Sequence, residues 1–403
     1  MPDKTLGVSS PARVLCTNIV SFGGGVLRVI QDGMPALSQF HEIRVTVADL
    51  YGRSELFDPG TIEVDSSIGV PGRGYISTNK GLRRWIDMFF QLARHARIVL
   101  RLSAALTRYD ILFVHHYKEL VLAIPAIWLR RSSIALVWHC HGLGDGAPPR
   151  FLRQLTNRCH RINAISNSVQ DRLVEIGIDR RKIATVYDAI NLCSIKEADA
   201  WRPEEQPPSD PGRLVILVAT STMYSSKGIH LVVEALATLP DSCVLWITGD
   251  DASGFNREYV EELKALSWRL CIADRVKFLG FRPDIYSVMK AANVICVPSL
   301  VPEGFGLVAA EAMALGKVVV VSNRGALPEV VDHGRAGLVF DPDVPGDLAE
   351  KLNLVFNNPT RIAALAADAA SYAAKAYSYT RWAEEVKKGF LIALQSNSAD
   401  CTQ

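Results

Sequence analysis

The chain has 403 residues, 49% hydrophobic and 21% charged, with a net charge of +2; that length suits two domains of about 200 residues each, and that balance gives no case for nucleic acid as a partner. Eight cysteines, at 16, 140, 159, 193, 243, 271, 296 and 401, form no C-x-x-C pair, which argues against a zinc site or a disulfide framework and fits reduced thiols in the cytoplasm. The first twelve residues lack the apolar core of a signal peptide and no run of 18 apolar residues occurs, so neither export nor a membrane-spanning helix is expected.

Taken in chain order, 13–20 reads as a strand that ends at Gly23-Gly24-Gly25, followed by a helix over 26–37. Gly24 and Gly25 at this joint lack a Cβ and let a phosphate come close to the backbone. Strands at 43–49, 110–115 and 134–139 alternate with helices over 82–106 and 120–129. The last of these strands runs into His139-Cys140-His141-Gly142; two histidines without a third ligand make a poor metal site. Between 198 and 212 the text turns to Pro203, Pro207, Pro208 and Pro211 among acidic and polar residues, which marks a linker. The alternation then restarts, with strands at 213–219, 243–248, 275–279, 293–297 and 317–321 and helices over 228–238, 256–270, 284–291 and 307–315. Buried strands alternating with helices, twice over, predict an α/β protein of two doubly wound, Rossmann-like domains, at 1–197 and 213–378. A terminal helix is expected over 379–394, then a frayed tail over 395–403.

The chemistry concentrates in the second half. Glu303-Gly304-Phe305-Gly306-Leu307 follows the strand that ends at Pro298-Ser299, and Glu311 lies eight residues on, inside the next helix. A strand, a glycine turn and a helix N-terminus present backbone N–H groups and a positive dipole end, which suits a phosphate. Carboxylates on either side of it are acceptors for sugar hydroxyls. Lys227-Gly228 closes the first strand-to-helix turn of the same domain, where an ammonium neutralises a diphosphate and stabilises it as it leaves. Taken alone, a surface Lys or a pair of glutamates is usually just solvated; the context gives these residues their meaning.

With Glu311-Ala312-Met313-Ala314-Leu315-Gly316-Lys317 and Pro328-Glu329-Val330-Val331, this text closely resembles the signature of family four of the retaining glycosyltransferases. The resemblance spans nearly the whole chain and implies the GT-B architecture, two such domains facing across a cleft. It implies a nucleoside-diphosphate-sugar donor, no metal or other cofactor, and transfer with retained configuration by front-face attack. Residue by residue, it makes Glu303 the donor-sugar contact, Glu311 the ribose contact and Lys227 the diphosphate cation. Gly304, Phe305, Gly306 and Leu307 would line the donor, Gly249 in Gly249-Asp250 would sit near the nucleotide, and Phe281-Arg282 in the segment beside the base. Gly24 and Gly25 would face the donor from the first domain, and His141 would stand beside the reacting sugar. The terminal helix would return to the first domain. Two departures stand out: Thr222 where an Arg usually precedes the Lys, and Asp188-Ala189 in place of Asn-Gly. Asp341-Pro342-Asp343 mimics a metal-binding D-x-D but falls in a stretch that the family uses as a loop.

Between Lys80 and Arg161 fourteen Lys and Arg face four Asp and Glu, and Arg83, Arg84, Arg94, Arg97 and Arg101 share a helix with Trp85, Phe89 and Phe90. Two readings stay open: an anionic membrane surface that this helix meets, or apolar residues in a core with arginines on a solvated face. The first makes the protein peripheral on the inner face of a membrane and favours a lipid-linked acceptor; by analogy with the family, the expected reaction is transfer to a glycan or lipid-linked saccharide in envelope polysaccharide or glycolipid synthesis. Secondary metabolism, a sugar-nucleotide epimerase and a non-catalytic binding protein are the rival readings on the same fold.

Overall fold

The computed structural model describes residues 10–19, 25–71, 82–143, 151–199, 214–249 and 257–400. Gly24 and the Pro-rich stretch lie outside them. The chain divides into two compact units, one of residues 1–187 with 379–403 and the other of residues 188–378.

In the first unit the strands are β1 (Ala12–Asn18), β2 (Ile43–Asp49), β3 (Glu63–Val64), β4 (Ile111–Val114), β5 (Ala135–Cys140), β6 (Arg161–Ala164) and β7 (Ile183–Thr185). They form one parallel sheet in the order β3-β2-β1-β4-β5-β6-β7. Its helices are α1 (Gly25–Leu37), α2 (Leu82–Ala105), α3 (Tyr117–Arg130), α4 (Leu152–Thr156) and α5 (Asn167–Glu175). β4 and β5 are buried along their whole length, as a sheet covered on both faces requires.

The second unit opens with α6 (Leu192–Glu197) and then alternates: β8 (Leu214–Val218), α7 (Ile229–Leu236), β9 (Cys243–Thr248), α8 (Arg257–Arg269), β10 (Val276–Gly280), α9 (Ile285–Ala291), β11 (Val294–Val297), α10 (Leu307–Ala314), β12 (Val318–Ser322), α11 (Leu327–Val330), β13 (Leu338–Phe340), α12 (Asp347–Asn357) and α13 (Pro359–Ala376). Its parallel sheet runs β10-β9-β8-β11-β12-β13. The Val318–Val321 run is buried at every position.

The last helix, α14 (Tyr379–Asp400), belongs to the first unit. Trp382 and Phe390 are buried there; Phe390 meets Phe113 edge-on with ring centres 5.0 Å apart, and a Cβ on Gly33 would touch the Trp382 ring at 2.8 Å. Two expectations need correction. Residues 188–197 cluster with the second unit rather than the first, because Ile190 pairs with Ser378 and its N–H donates to the Tyr377 carbonyl at 2.9 Å. The stretch 395–400 is not a frayed tail but continues α14, with Ser396 and Ser398 hydroxyls bonded back to Ile392 and Leu394 carbonyls at 3.0 Å.

Gly228 shows how tightly the second unit is joined at its turns. It sits at φ 65°, and a Cβ there would collide with the Pro298 carbonyl oxygen, whereas Gly316, at φ 68°, faces open space. Gly316→Ala should therefore cost only the left-handed strain, about 1–2 kcal/mol. Gly228→Ala adds a backbone collision, and urea denaturation of the full chain should place it at least ~2 kcal/mol below the Gly316 variant. Equal losses would mean that the loop yields freely.

Candidate functional site

In the second unit the strand order reverses between β8 and β11, and the two loops that leave these parallel strands carry opposite charges. Lys227 ends the single turn Ser225–Lys227 after β8. Its Nζ donates to Glu303 Oε1 at 2.7 Å, and Ser299 Oγ donates to the same oxygen at 2.9 Å. The Glu303 backbone is pinned as well: it bridges to Gly325, and the Ala326 N–H donates to its carbonyl at 2.9 Å. A Cβ on Gly325 would collide with that backbone, so glycine is what allows the approach. The Lys227 and Glu303 side chains are 34% and 21% exposed, and an ion pair so placed adds little to stability. Its value lies in presenting a cation and a carboxylate together at the edge of the sheet.

Gly306, at φ 103°, turns the chain into α10, leaving first-turn N–H groups that a helix cannot satisfy itself. Phe305 is buried against Tyr377, ring centres 5.1 Å apart, and Leu307 opens the helix beside Gly304 and Gly306. α10 is otherwise apolar and mostly alanine, and Glu311 is buried in it at 3% exposure, where the Tyr286 hydroxyl donates to Oε1 at 2.7 Å. A carboxylate buried among alanines is costly to desolvate, and the phenol offsets part of that cost. Gly249, at φ 142°, ends β9; a Cβ there would meet Met223 and Thr220 at 2.9 and 3.0 Å. After β10, Phe281 stands 62% exposed, and Arg282 pairs with Asp284 at 2.6 Å, a contact that lowers the Asp284 carboxyl below its ordinary range. Lys227, Gly249, Phe281, Arg282, Glu303 to Leu307 and Glu311 thus gather along or just beyond the carboxyl edge of one sheet.

Thr222 lies in the same β8 loop, tied to Thr220, whose Oγ1 donates to the Thr222 carbonyl at 2.8 Å. Arg324 lies one residue before Gly325, the bridge partner of Glu303, and its guanidinium reaches Asp343 at 2.6 Å and Asp341 at 3.8 Å. The D-x-D carboxylates are thereby matched by a cation of the chain's own.

In the first unit the switch lies between β1 and β4. Thr17 Oγ1, at the end of β1, lies 2.5 Å from Glu119 Oε2. The other Glu119 oxygen takes the His116 N–H at 3.1 Å, and the His116 ring in turn accepts from the Lys118 N–H, a capping box that starts α3. Burial raises the Glu119 carboxyl to about 8, against the lowering effect of these hydrogen bonds. Next to it His115 Nδ1 meets His141 Nε2 at 3.0 Å with the rings stacked. Burial, then the charge of His141, pushes His115 well below its ordinary value, and burial brings His116 to about 4. His139 is fully buried and edge-on to His141, 4.8 Å between centres. His141 is only half-buried, so of the three neighbouring rings it is the most accessible. Gly25 begins α1.

Two family models match the chain: one described as Glycosyltransferase Family 4 over residues 23–193, the other as Glycosyl transferases group 1 over residues 200–376. The chain belongs to glycosyltransferase family 4. It is 35% identical over 185 residues to a D-inositol 3-phosphate glycosyltransferase of Corynebacterium jeikeium, a match covering 44% of this chain and 43% of that relative. It is 28% identical to one from Rhodococcus jostii, covering 84% and 80%. Among solved structures, Anabaena HepE in complex with UDP and glucose superposes with a TM-score of 0.75 at 23% identity, covering 94% of this chain and 98% of that one.

Sequence reasoning on this family 4 glycosyltransferase missed Tyr286, His115, Glu119 and Arg324. Only Glu119 left a trace, as an H-x-x-E step opening a helix after a buried strand. Its raised carboxyl has a measurable consequence. The folded chain holds a proton that the unfolded chain releases above about 4.5, so this group's contribution is full below that pH and is lost as pH rises to about 8. Glu119→Gln removes the titration, and in chemical denaturation the variant should gain on the parent by about 1.4 kcal/mol per pH unit across that window. A constant difference would show that Glu119 keeps its ordinary acidity.

Proposed function

We propose that this glycosyltransferase moves a sugar from a nucleoside-diphosphate sugar to a glycan or lipid-linked saccharide, with retained configuration and without a metal. The observation that carries this reading is the Lys227–Glu303 pair, an ammonium and a carboxylate 2.7 Å apart beside the N-terminus of α10 at the carboxyl edge of the switch. The anomeric C–O bond to the β-phosphate breaks while the acceptor oxygen bonds to the same face. The acceptor proton passes to the departing phosphate oxygen. Lys227 and the first-turn N–H groups of α10 stabilise the charge that grows on the diphosphate. Glu303 Oε1 is occupied by Lys227 and Ser299, which turns Oε2 to the donor sugar. Glu311 takes the ribose and the Gly249 and Phe281-Arg282 edge the base. In the first unit His141 is oriented by its stack on His115. The UDP and glucose held by Anabaena HepE support a nucleotide-sugar donor of this kind. The setting would be envelope polysaccharide or glycolipid synthesis in the cytoplasm. For the acceptor a second reading has its own support: the relatives' name, D-inositol 3-phosphate glycosyltransferase, points to a small phosphorylated polyol.

Release of nucleoside diphosphate in a coupled assay, with UDP-, GDP- and ADP-sugars as donors and inositol phosphate or lipid-linked saccharide as acceptor, tests the whole reading. Failure of all common donors to bind in calorimetry would overturn it. Glu303→Gln should lower kcat more than tenfold, about 1.4 kcal/mol or more, with donor Kd changed much less. Lys227→Ala should weaken donor binding by one to two orders of magnitude, the worth of a charged hydrogen bond, about 1.5–3 kcal/mol.

A further inference from the structure

α2 is inside out for a soluble helix. Trp85, Met88, Phe89, Leu92 and Leu100 are 66, 40, 67, 61 and 59% exposed. At 3.6 residues per turn these positions fall within one third of the helix circumference. The opposite face is the buried one: Ile98 and Leu102 are in the core, and Arg94, 7% exposed, lays its guanidinium over the Tyr51 ring at 4.4 Å. The core reading of this helix is therefore wrong, and Arg94 is no solvated charge. α3 packs against α2 and carries an outward row of its own, with Val121 at 44% and Trp128 at 80%, led by the exposed Lys118.

The charge around these rows has one sign. α2 contains five arginines and one acid, Asp87; α3 contains Lys118 and Arg130, and its one acid, Glu119, is buried. Arg97 is exposed beside the α2 stripe. Aromatic and aliphatic side chains flanked by guanidinium groups fit a surface with an apolar interior and an anionic face. A second copy of this chain fits less well, because a self-complementary contact brings the predominantly basic α2 and α3 against their own image. No helix among the described residues is long and apolar enough to cross a membrane.

We propose that the exposed faces of α2 and α3 lie on an anionic phospholipid surface, with Trp85, Phe89 and Trp128 in the headgroup boundary. This contact does not depend on the donor chemistry of the second unit. The test is co-flotation of the full-length protein with vesicles of pure phosphatidylcholine or of phosphatidylcholine mixed with phosphatidylglycerol, with the mass in solution measured by light scattering. The protein should float with the anionic vesicles, less so in high salt, and stay behind with the neutral ones. Trp85→Ser with Phe89→Ser should lower vesicle binding at least tenfold, and Arg97→Glu about tenfold, with thermal unfolding and nucleotide-sugar binding as in the parent. Equal binding by the variants, no binding to the anionic vesicles, or a two-chain mass that falls to one in the Trp85→Ser, Phe89→Ser variant would overturn the proposal, the last in favour of a homodimer.

Discussion

A parallel sheet whose strands are added first to one side of the starting strand and then to the other must send two neighbouring crossovers to opposite faces. Where they part, the carboxyl ends of two strands stay uncovered. Both units obey this constraint with the same order, β2-β1-β4-β5 in one and β9-β8-β11-β12 in the other, and both place a glutamate at the opening. Glu119 spans from the helix after β4 to Thr17 on β1; Glu303 spans from the loop after β11 to Lys227 after β8. The surroundings then separate them. Glu119 is enclosed and holds its proton, so it is a hydrogen-bonding fixture of the backbone that starts α3. Glu303 is part-exposed beside an ammonium, a charge available to a ligand.

The sequence makes the strands and the glycine turns of the second unit readable because both are local. Runs such as Val318–Val321 have one interpretation, and Gly306 before Leu307 marks a helix start without reference to anything distant. The short strands β3, β7 and β13 are two or three residues long and leave no period to detect. Tyr286 and Glu311 are 25 residues apart and Thr17 and Glu119 are 102 apart; no spacing rule links them, since their meeting is a product of sheet order. Arg324 and Asp343 are 19 positions apart, and only the fold shows that the D-x-D carboxylates meet a cation.

α2 is the instructive case of ambiguity. Its pattern has the helical period, and a period fixes a stripe without saying which way the stripe faces. The direction is settled by Arg94, whose long apolar stem and planar head can be buried over Tyr51 where an ammonium would not stack as well. With that side chain turned inward, the aromatic stripe has only the outside left.

α14 carries a consequence for synthesis. The chain leaves the first unit after Tyr187 and re-enters it at Tyr379, so the second unit is an insertion whose two ends are held together by the pairing of Ile190 with Ser378. Residues 188–378 emerge from the ribosome in one piece and can close around their own core. The first unit cannot, because Trp382 and Phe390 complete its interior from the far end of the chain. The half that is made first is therefore finished last, and until translation reaches α14 it waits with the places for a tryptophan and a phenylalanine unfilled, a state suited to a chaperone.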